Sequence, residues 1–255
     1  MTIPARIIRA FTEALFPARC LVCGSFFHSD PGERFDRLRL LAPFVCSACL
    51  AGFLPVASPL CVQCGAVFIS RKGEDRLCGT CIESPKRFRI ARACGVYDET
   101  LMALVHCLKY DEKIQLARPL GSLLLSAYFH YWKMDDIDLV VPVPLHAKRF
   151  RERGFNQSYL LVKDWAQMSR QAPTVERNVL VRKRRTVPQT GLGRKRRIHN
   201  IKDAFSVGDP LKIIGKKVLL VDDVYTTGAT VDECATVLHG FGAKQVDVLT
   251  LARAQ

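Results

Sequence analysis

From residue 90 onward, short apolar runs alternate with stretches whose apolar positions recur at helical spacing. The runs are "IARACGVYD" (90–98), "IDLVVPVPL" (137–145), "KKVLLVDDV" (216–224) and "QVDVLTLAR" (245–253). Between them lie "LMALVHCLKY" (101–110), "ARPLGSLLLSAYFHYW" (117–132), "NQSYLLVKDWAQM" (156–168) and "TVDECATVLHGF" (230–241), each with a helical period. Short runs too apolar for a half-exposed strand, separated by helices, predict a parallel sheet covered on both faces. The first 16 residues, "MTIPARIIRAFTEALF", place Ile3, Ile7, Phe11 and Leu15 at four-residue spacing. That spacing predicts a short amphipathic helix docked on the protein or on a partner.

With 255 residues and a hydrophobic content of 49% the chain can bury a core in one large domain or two smaller ones. No apolar run reaches the roughly 18 to 20 residues of a membrane helix, and Arg6, Arg9 and Glu13 interrupt the first segment. A signal peptide and a transmembrane segment are thus not expected, and the setting is cytoplasmic. The 38 Lys and Arg against 24 Asp and Glu leave a net charge of +14, which points to a polyanion. Nucleic acid and a phosphorylated small molecule both qualify, and a merely solvated basic surface is the plainer reading. Much of the charge lies in two clusters, Arg182 to Arg185 and Arg194 to Arg197, separated by glycine and proline in what reads as a mobile segment.

Eight of the 11 cysteines fall in four identical frames: Cys20/Cys23, Cys46/Cys49, Cys61/Cys64 and Cys78/Cys81. Two thiolates three positions apart in a tight turn reach one tetrahedral zinc, and two such turns close a four-thiolate structural site. Gly24 and Gly65 follow the second cysteine of their pairs, where the turn wants positive φ. Two zincs bound in sequence fit the spacing, and a crossed pairing of alternate frames fits it too. A redox dithiol or structural disulfides compete, but four repeated pairs without a secretory signal favour metal. Cys94, Cys107 and Cys234 stand outside any frame and read as buried thiols. The ligands end at Cys81, and the polar "IESPKRFR" (82–89) reads as a boundary. The expected division is therefore 1–85, an N-terminal helix and double zinc ribbon, and 86–255, an α/β domain.

In an open parallel sheet, ligands sit beyond the carboxyl ends of the strands. Asp222 and Asp223 end the run "VLLV", and "TTGAT" (226–230) follows at the start of a helix. Backbone N–H groups and the hydroxyls of Thr226, Thr227 and Thr230 suit a phosphate there. Carboxylates would repel that phosphate but accept hydrogen bonds from a vicinal diol, so the pattern fits a ribose 5-phosphate group. A Walker B strand also ends in acids, yet no GxxxxGK[ST] occurs. A dinucleotide fold fails as well, because "GFG" (240–242) follows a helix where the fingerprint would open one. Surface carboxylates with no ligand are the remaining alternative.

"VLLVDDVYTTGAT" (218–230) resembles the phosphoribosyl pyrophosphate (PRPP) signature of type I phosphoribosyltransferases. Together with the cysteine pairs, "CLKYDEK" (107–113), "VPVPLHAKRFRERGFNQS" (141–158) and "RTVPQTGLGRKRRIHN" (185–200), nearly the whole chain resembles the ComF/ComFC family of competence-associated proteins. The resemblance implies a type I phosphoribosyltransferase fold behind the double zinc ribbon. It places Asp222 and Asp223 at the ribose hydroxyls, and Thr226, Thr227, Gly228, Ala229 and Thr230 around the 5-phosphate. Val143, Pro144, Leu145 and His146, with Lys109 and Tyr110, are implied near the pyrophosphate. Arg149, Arg153, Asn156, Gln157, Gln189, Arg197 and Asn200 are implied around the cleft. PRPP would bring magnesium, and its C1 would break from pyrophosphate through an oxocarbenium-like ribose with Arg149, Arg153 and Arg197 as cationic support. The acceptor is not legible. A rival reading keeps the PRPP site as a sensor and makes single-stranded DNA, during uptake and transformation beside other competence proteins, the working ligand. Phe150 and Phe155 lie among the arginines as stacking candidates, with burial in the core as the alternative.

Overall fold

The computed structural model describes residues 17–28, 38–70, 72–186 and 193–255, without the side chains of Arg194, Lys195, Arg197 and Ile198. The expected amphipathic helix at residues 3 to 15, and Gln189, lie outside these residues.

The chain begins with two small metal-type modules. A two-residue antiparallel pair, β1 (Ala18–Arg19) and β2 (Phe26–Phe27), holds Cys20 and Cys23 in its turn, and Cys46 caps α1 (Ser47–Ala51). In the second module Cys61 and Cys64 occupy a turn, and Cys78 caps α2 (Gly79–Glu83). Gly24 and Gly65 take φ of 75° and 68°, as the turn chemistry requires.

β3 (Ala91–Val96) opens the larger sheet, followed by α3 (Glu99–Tyr110), which Asp98 caps by accepting from the Leu101 amide at 2.9 Å. α4 (Ala117–Tyr131) returns the chain to β4 (Leu139–Pro142). Then come α5 (Ala147–Arg153), α6 (Gln157–Leu160), α7 (Trp165–Met168) and β5 (Thr174–Val175). β6 (Leu180–Arg182), α8 (Arg194–Ile201) and β7 (Phe205–Val207) precede β8 (Lys217–Tyr225), α9 (Ala229–Gly240) and β9 (Gln245–Arg253). The five-stranded sheet has the order β3-β9-β8-β4-β5, and every pairing in it is parallel. This is a parallel α/β architecture, as expected, with two four-cysteine modules at its N-terminal side.

Successive side chains of a strand point to opposite faces, and the two faces build two cores. Leu219, Val221, Leu249 and Leu251 join α3, α4 and Trp165 on one. Val218, Leu220, Val246 and Val248 join α9 on the other. All eight strand residues are fully buried, at roughly 1.5–3 kcal/mol of transfer free energy each.

The cysteine modules share these cores: Cys20 and Val45 belong to the first cluster, and Cys61, Cys64 and Cys81 to the second. The segment around Pro55 also covers the free edge of β3, the Val56 amide donating to the Cys94 carbonyl and the Val96 amide to the Leu54 carbonyl. Beyond the linker, the fully buried carboxylate of Asp247 accepts from Arg89 at 2.6 and 3.0 Å and from the Trp132 indole at 2.7 Å.

Two regions differ from the sequence pattern. The helical period at 156–168 splits into α6 and α7, because Trp165 turns inward to donate its indole N–H to the Gly121 carbonyl at 3.1 Å. The basic segment springs from an antiparallel ribbon: β6 pairs with β7, and Lys183 and Arg184 donate backbone N–H to Ala204. The mobility expected of residues 182 to 185 does not hold, since ladder hydrogen bonds fix that end.

A Cβ on Gly121 would fall inside the Leu161 carbonyl oxygen, which belongs to packed backbone and has nowhere to retreat. Gly121→Ala gains up to about 1 kcal/mol of helix propensity and meets a clash of roughly 1–3 kcal/mol. A net loss is expected in the urea unfolding midpoint.

Candidate functional site

The carboxyl ends of β4 and β8 open onto a cavity of about 350 Å³. Its wall includes Asp222 and Asp223, the loop residues Thr226, Gly228, Ala229 and Thr230, and Val143, Pro144, Leu145 and His146 after β4. Lys109 and Tyr110 at the end of α3, and Arg149 and Arg153 on α5, complete the ring. These segments are remote in sequence, and the sheet order brings them together. Thr227 is not part of the wall; its hydroxyl accepts from the Ala229 amide at 3.4 Å. Arg197 lies on α8 with its side chain undescribed. Asn156 serves as a brace, donating to the Val143 carbonyl at 3.1 Å and accepting from the Ser158 amide at 3.0 Å. Asn200 accepts from Arg184 through its carbonyl.

The doublet is asymmetric. Asp223 is buried and pairs with Lys109, Oδ2 to Nζ 2.7 Å. Asp222 is half-buried and accepts from the Ser158 hydroxyl and the Asp223 amide, both at 2.9 Å. Burial first, then the neighbouring Asp223 charge, pushes the Asp222 carboxyl up to about 7, with Lys109 pulling the other way. For Lys109, burial opposes the charge, but Asp223 and Asp222 outweigh it and its pKa is raised. One lysine thus serves two carboxylates, which favours any ligand that donates hydrogen bonds or adds positive charge beside Asp222.

Other residues of the same cavity suit anions. Gly228 caps α9 at φ 76°, and a Cβ there would collide with the Tyr225 hydroxyl, so only glycine lets the chain turn into the helix N-terminus. Arg153 donates to Gln157 at 2.7 Å while its guanidinium lies 5.4 Å from the Tyr110 ring centroid. Arg182 and Arg185, read from sequence as part of a basic run, line the same cavity. Arg182 lies over the Phe205 ring, donates to the Thr186 hydroxyl, and keeps its buried Nε–H without a hydrogen-bond partner among the described residues. Burial lowers its pKa. Lys109, Tyr110, Arg149, Arg153, Arg185 and Thr186 also border an adjoining open space of about 780 Å³, with Glu112 and Glu152 on its rim.

Sequence reasoning missed Tyr97, His106 and Thr186 in the cavity wall and Ser158 behind Asp222. Of these, Ser158, which closes the "FNQS" motif, and Thr186, the second residue of "RTVPQTG", had a local signal. Phe155 is buried as a core residue, and Phe150 stays half-exposed.

The cysteines pair in sequence, which settles the crossed alternative: Cys20, Cys23, Cys46 and Cys49 form one cluster, and Cys61, Cys64, Cys78 and Cys81 the other, with all sulfurs of a cluster within 4.8 Å of one another. Metal–sulfur bonds of about 2.3 Å in a tetrahedron put sulfurs about 3.8 Å apart. Cys23 and Cys46 lie at 3.8 Å, and Cys64 and Cys78 at 3.7 Å. Backbone N–H groups of Cys64 and Cys78 donate to Cys61 Sγ at 3.4 Å, as Val22 and Cys46 do to Cys20 Sγ. Both clusters can hold a metal ion. Cys94, Cys107 and Cys234 are buried thiols, as expected.

A family model for the phosphoribosyl transferase domain matches residues 165–255. Over 215 residues the chain is 33% identical to DNA utilization protein YhgH of Escherichia coli (strain K12), covering 82% of this chain and 90% of that protein. Competence protein F of Haemophilus influenzae is 32% identical over 202 residues, 77% of this chain and 85% of that protein. Competence protein ComFC of Streptococcus pneumoniae is 28% identical over 239 residues, 92% of this chain and all of that protein. Among the described residues no helix is long and apolar enough to cross a membrane.

The raised Asp222 carboxyl has a thermodynamic consequence. The folded state binds that proton more tightly than the unfolded chain, whose carboxyl titrates near 3.9, so Asp222 costs stability as pH rises from about 4 through about 7. Asp222→Asn removes the cost while keeping an acceptor for Ser158. The variant is expected to gain on the order of 1–2 kcal/mol over wild type at pH 8 and far less at pH 5, in urea titrations without divalent cations. An equal gain at both values would contradict the assignment.

Proposed function

We infer function from one premise: the chain belongs to the ComF family, the group of DNA utilization protein YhgH and competence proteins F and ComFC. The chain binds PRPP with magnesium at the carboxyl edge of β4 and β8, and it acts in the uptake or utilization of DNA, in the cytoplasm beside other DNA-uptake proteins. The observation that carries this reading is the charge pattern of a single cavity. The acid doublet, the N-terminus of α9 and Arg149, Arg153 and Arg185 all line it. PRPP has the complementary pattern, a diol between a 5-phosphate and a pyrophosphate.

In this reading Asp222 accepts hydrogen bonds from the ribose hydroxyls, and the α9 amides with Thr226 and Thr230 hold the 5-phosphate. Lys109, paired with Asp223 in the free protein, exchanges part of that contact for pyrophosphate oxygens, which frees the second carboxylate for the ribose. Arg149, Arg153, Arg185 and the unpartnered Nε–H of Arg182 offset the pyrophosphate charge. The doublet fits magnesium as well, because positive charge beside Asp222 relieves its raised pKa. Bound there with PRPP, magnesium supplies neutralisation of the pyrophosphate as it leaves C1. His106 and His146 line the wall as groups able to take a proton from an acceptor. Gln189 and Arg197 remain proposed members of the site.

A second reading, PRPP sensing without transfer by a single-stranded-DNA-binding protein, is favoured by the basic rim. The space beyond the cavity carries Lys109 and three arginines around the exposed Tyr110 ring, more positive surface than one pyrophosphate requires.

Calorimetric titration with PRPP and magnesium, followed by a pyrophosphate-release assay with nucleobases and with single-stranded DNA, tests both. Binding with release supports a transferase, and binding without release supports the sensor. The double variant Asp222→Asn, Asp223→Asn is expected to lose at least about 100-fold in PRPP affinity while single-stranded DNA affinity stays within about twofold. A wild-type protein that takes up no PRPP would refute the site, and equal loss of both ligands would show that they share it.

The two four-cysteine clusters are proposed to hold one structural zinc each. Purified protein should contain close to two zinc ions per chain. Cys61→Ser is expected to release one of them and to lower the thermal unfolding midpoint by several degrees, on the order of 2–4 °C per kcal/mol for a chain of this size. Less than about one zinc per chain in wild type would overturn the assignment.

A further inference from the structure

The second cysteine cluster and the loop at the N-terminus of α9 meet through one side chain. Arg253 ends β9 in register with Tyr225, which ends β8. Its side chain is buried; Nη2 donates to Cys64 Sγ at 3.4 Å, and the guanidinium carbon lies 4.1 Å from the Tyr225 ring centroid. Nε and Nη1 have no hydrogen-bond partner among the described residues. The Tyr225 hydroxyl abuts Gly228, and Phe88 meets the same ring edge-on with centroids 6.2 Å apart. A continuous stack therefore runs from Cys64 through Arg253 and Tyr225 to Gly228.

A second connection is independent of the first. Past Cys81 the chain packs on α9: the Arg87 amide donates to Asp232 Oδ1 at 2.7 Å, Lys86 lies 3.9 Å from the same carboxylate, and His239 meets the Arg87 carbonyl at 3.1 Å. The module is thus tied to the first and last turns of the helix whose N-terminus forms the loop.

A divalent ion with four thiolates carries a net charge of −2, and a buried guanidinium is stable only against such a charge. We propose that the second four-cysteine centre is the foundation of the loop 226–230, and that Arg253 is the positioning residue that couples the metal–thiolate charge, through Tyr225, to the backbone at Gly228. Metal occupancy then fixes the direction of the α9 amides. The ligand arm of this proposal rests on the reading of that loop as a phosphate cradle; the structural arm does not.

The test uses the full chain and the variants Arg253→Met and Arg253→Lys. Three quantities are read: zinc per chain by thiol-reagent release into a chromogenic chelator, hydrogen–deuterium exchange of the peptide spanning 225–232, and PRPP affinity with magnesium. Arg253→Met is expected to keep both zinc ions, to exchange at least about tenfold faster at 225–232, and to bind PRPP at least about tenfold more weakly. Arg253→Lys, which keeps the charge and loses the planar stack, is expected to recover part of both losses. Mild chelation of the wild type is expected to reproduce the faster exchange. Unchanged exchange and affinity in Arg253→Met would overturn the proposal, as would loss of zinc and loop protection together with no recovery in Arg253→Lys. Faster exchange in a protein whose wild type binds no PRPP would uphold the foundation and refute the cradle. If Arg253→Met fails to fold, Tyr225→Phe decides: faster exchange at 225–232 with two zinc ions retained supports the coupling, and unchanged exchange refutes it.

Discussion

Two adjacent carboxylates at the end of the central strand, served by one buried ammonium, are the constraint around which the rest of the structure is arranged. Carboxylates this close repel, and burial raises the cost. The fold tolerates them because α3 delivers Lys109 to Asp223 at 2.7 Å and α6 delivers the Ser158 hydroxyl to Asp222 at 2.9 Å. Both helices are fixed by apolar packing that has no need of the acids, since Leu104 and Leu108 on α3, with Leu161 just beyond α6, belong to one buried cluster. Packing energy therefore holds an electrostatic arrangement that would relax if its parts were free. A group that donates hydrogen bonds or adds positive charge beside Asp222 relieves that stored mismatch, so affinity and local instability have one origin.

The two cysteine modules belong to the same arrangement. The first shares its cluster with α3 and α4, through Cys20, Val45 and Leu50, and Thr100 on α3 donates to the Cys49 carbonyl at 3.0 Å. The second shares its cluster with α9 and the opposite face of the sheet. Each module thus braces one side of the sheet, the first behind the helix that carries Lys109 and the second behind the helix that begins at the loop. A metal ion bound in either module would then bear on how firmly the residues of the cavity are held.

Local patterns were legible in sequence wherever the residues that decide them are neighbours in the chain. β3, β8, β9, α3, α4 and α9 follow from apolar periodicity, and the cysteine frames from their spacing and their glycines. What escaped depends on contacts between distant segments. Nothing near Lys109 announces Asp223, and nothing near Arg182 announces that its guanidinium turns over Phe205 into the cavity. The split of α6 from α7 has the same cause, since Trp165 is drawn inward by a carbonyl on α4. The β6–β7 ribbon was hidden by composition, because a run of arginines dominates a three-residue strand whose partner lies beyond α8.

That last case bears on how the positive charge should be understood. A net charge of +14 reads as one property of a surface, but the arginines divide by what holds them. Arg89, Arg182 and Arg253 are spent on a buried carboxylate, a cavity wall and a thiolate cluster, each in geometry that fixes the guanidinium plane. Arg149, Arg153 and Arg185 line both the cavity and the open space beside it. Charge locked into the first group contributes little to the salt dependence of binding a long polyanion, since those guanidiniums are already engaged within the fold. Under the proposed function, charge in the second group is shared between a small anion within the cavity and a strand outside it. A ligand deep in the cavity would then compete with DNA for the same three guanidiniums, even where the two never touch, and occupancy by the small ligand would weaken the grip on the long one by screening alone.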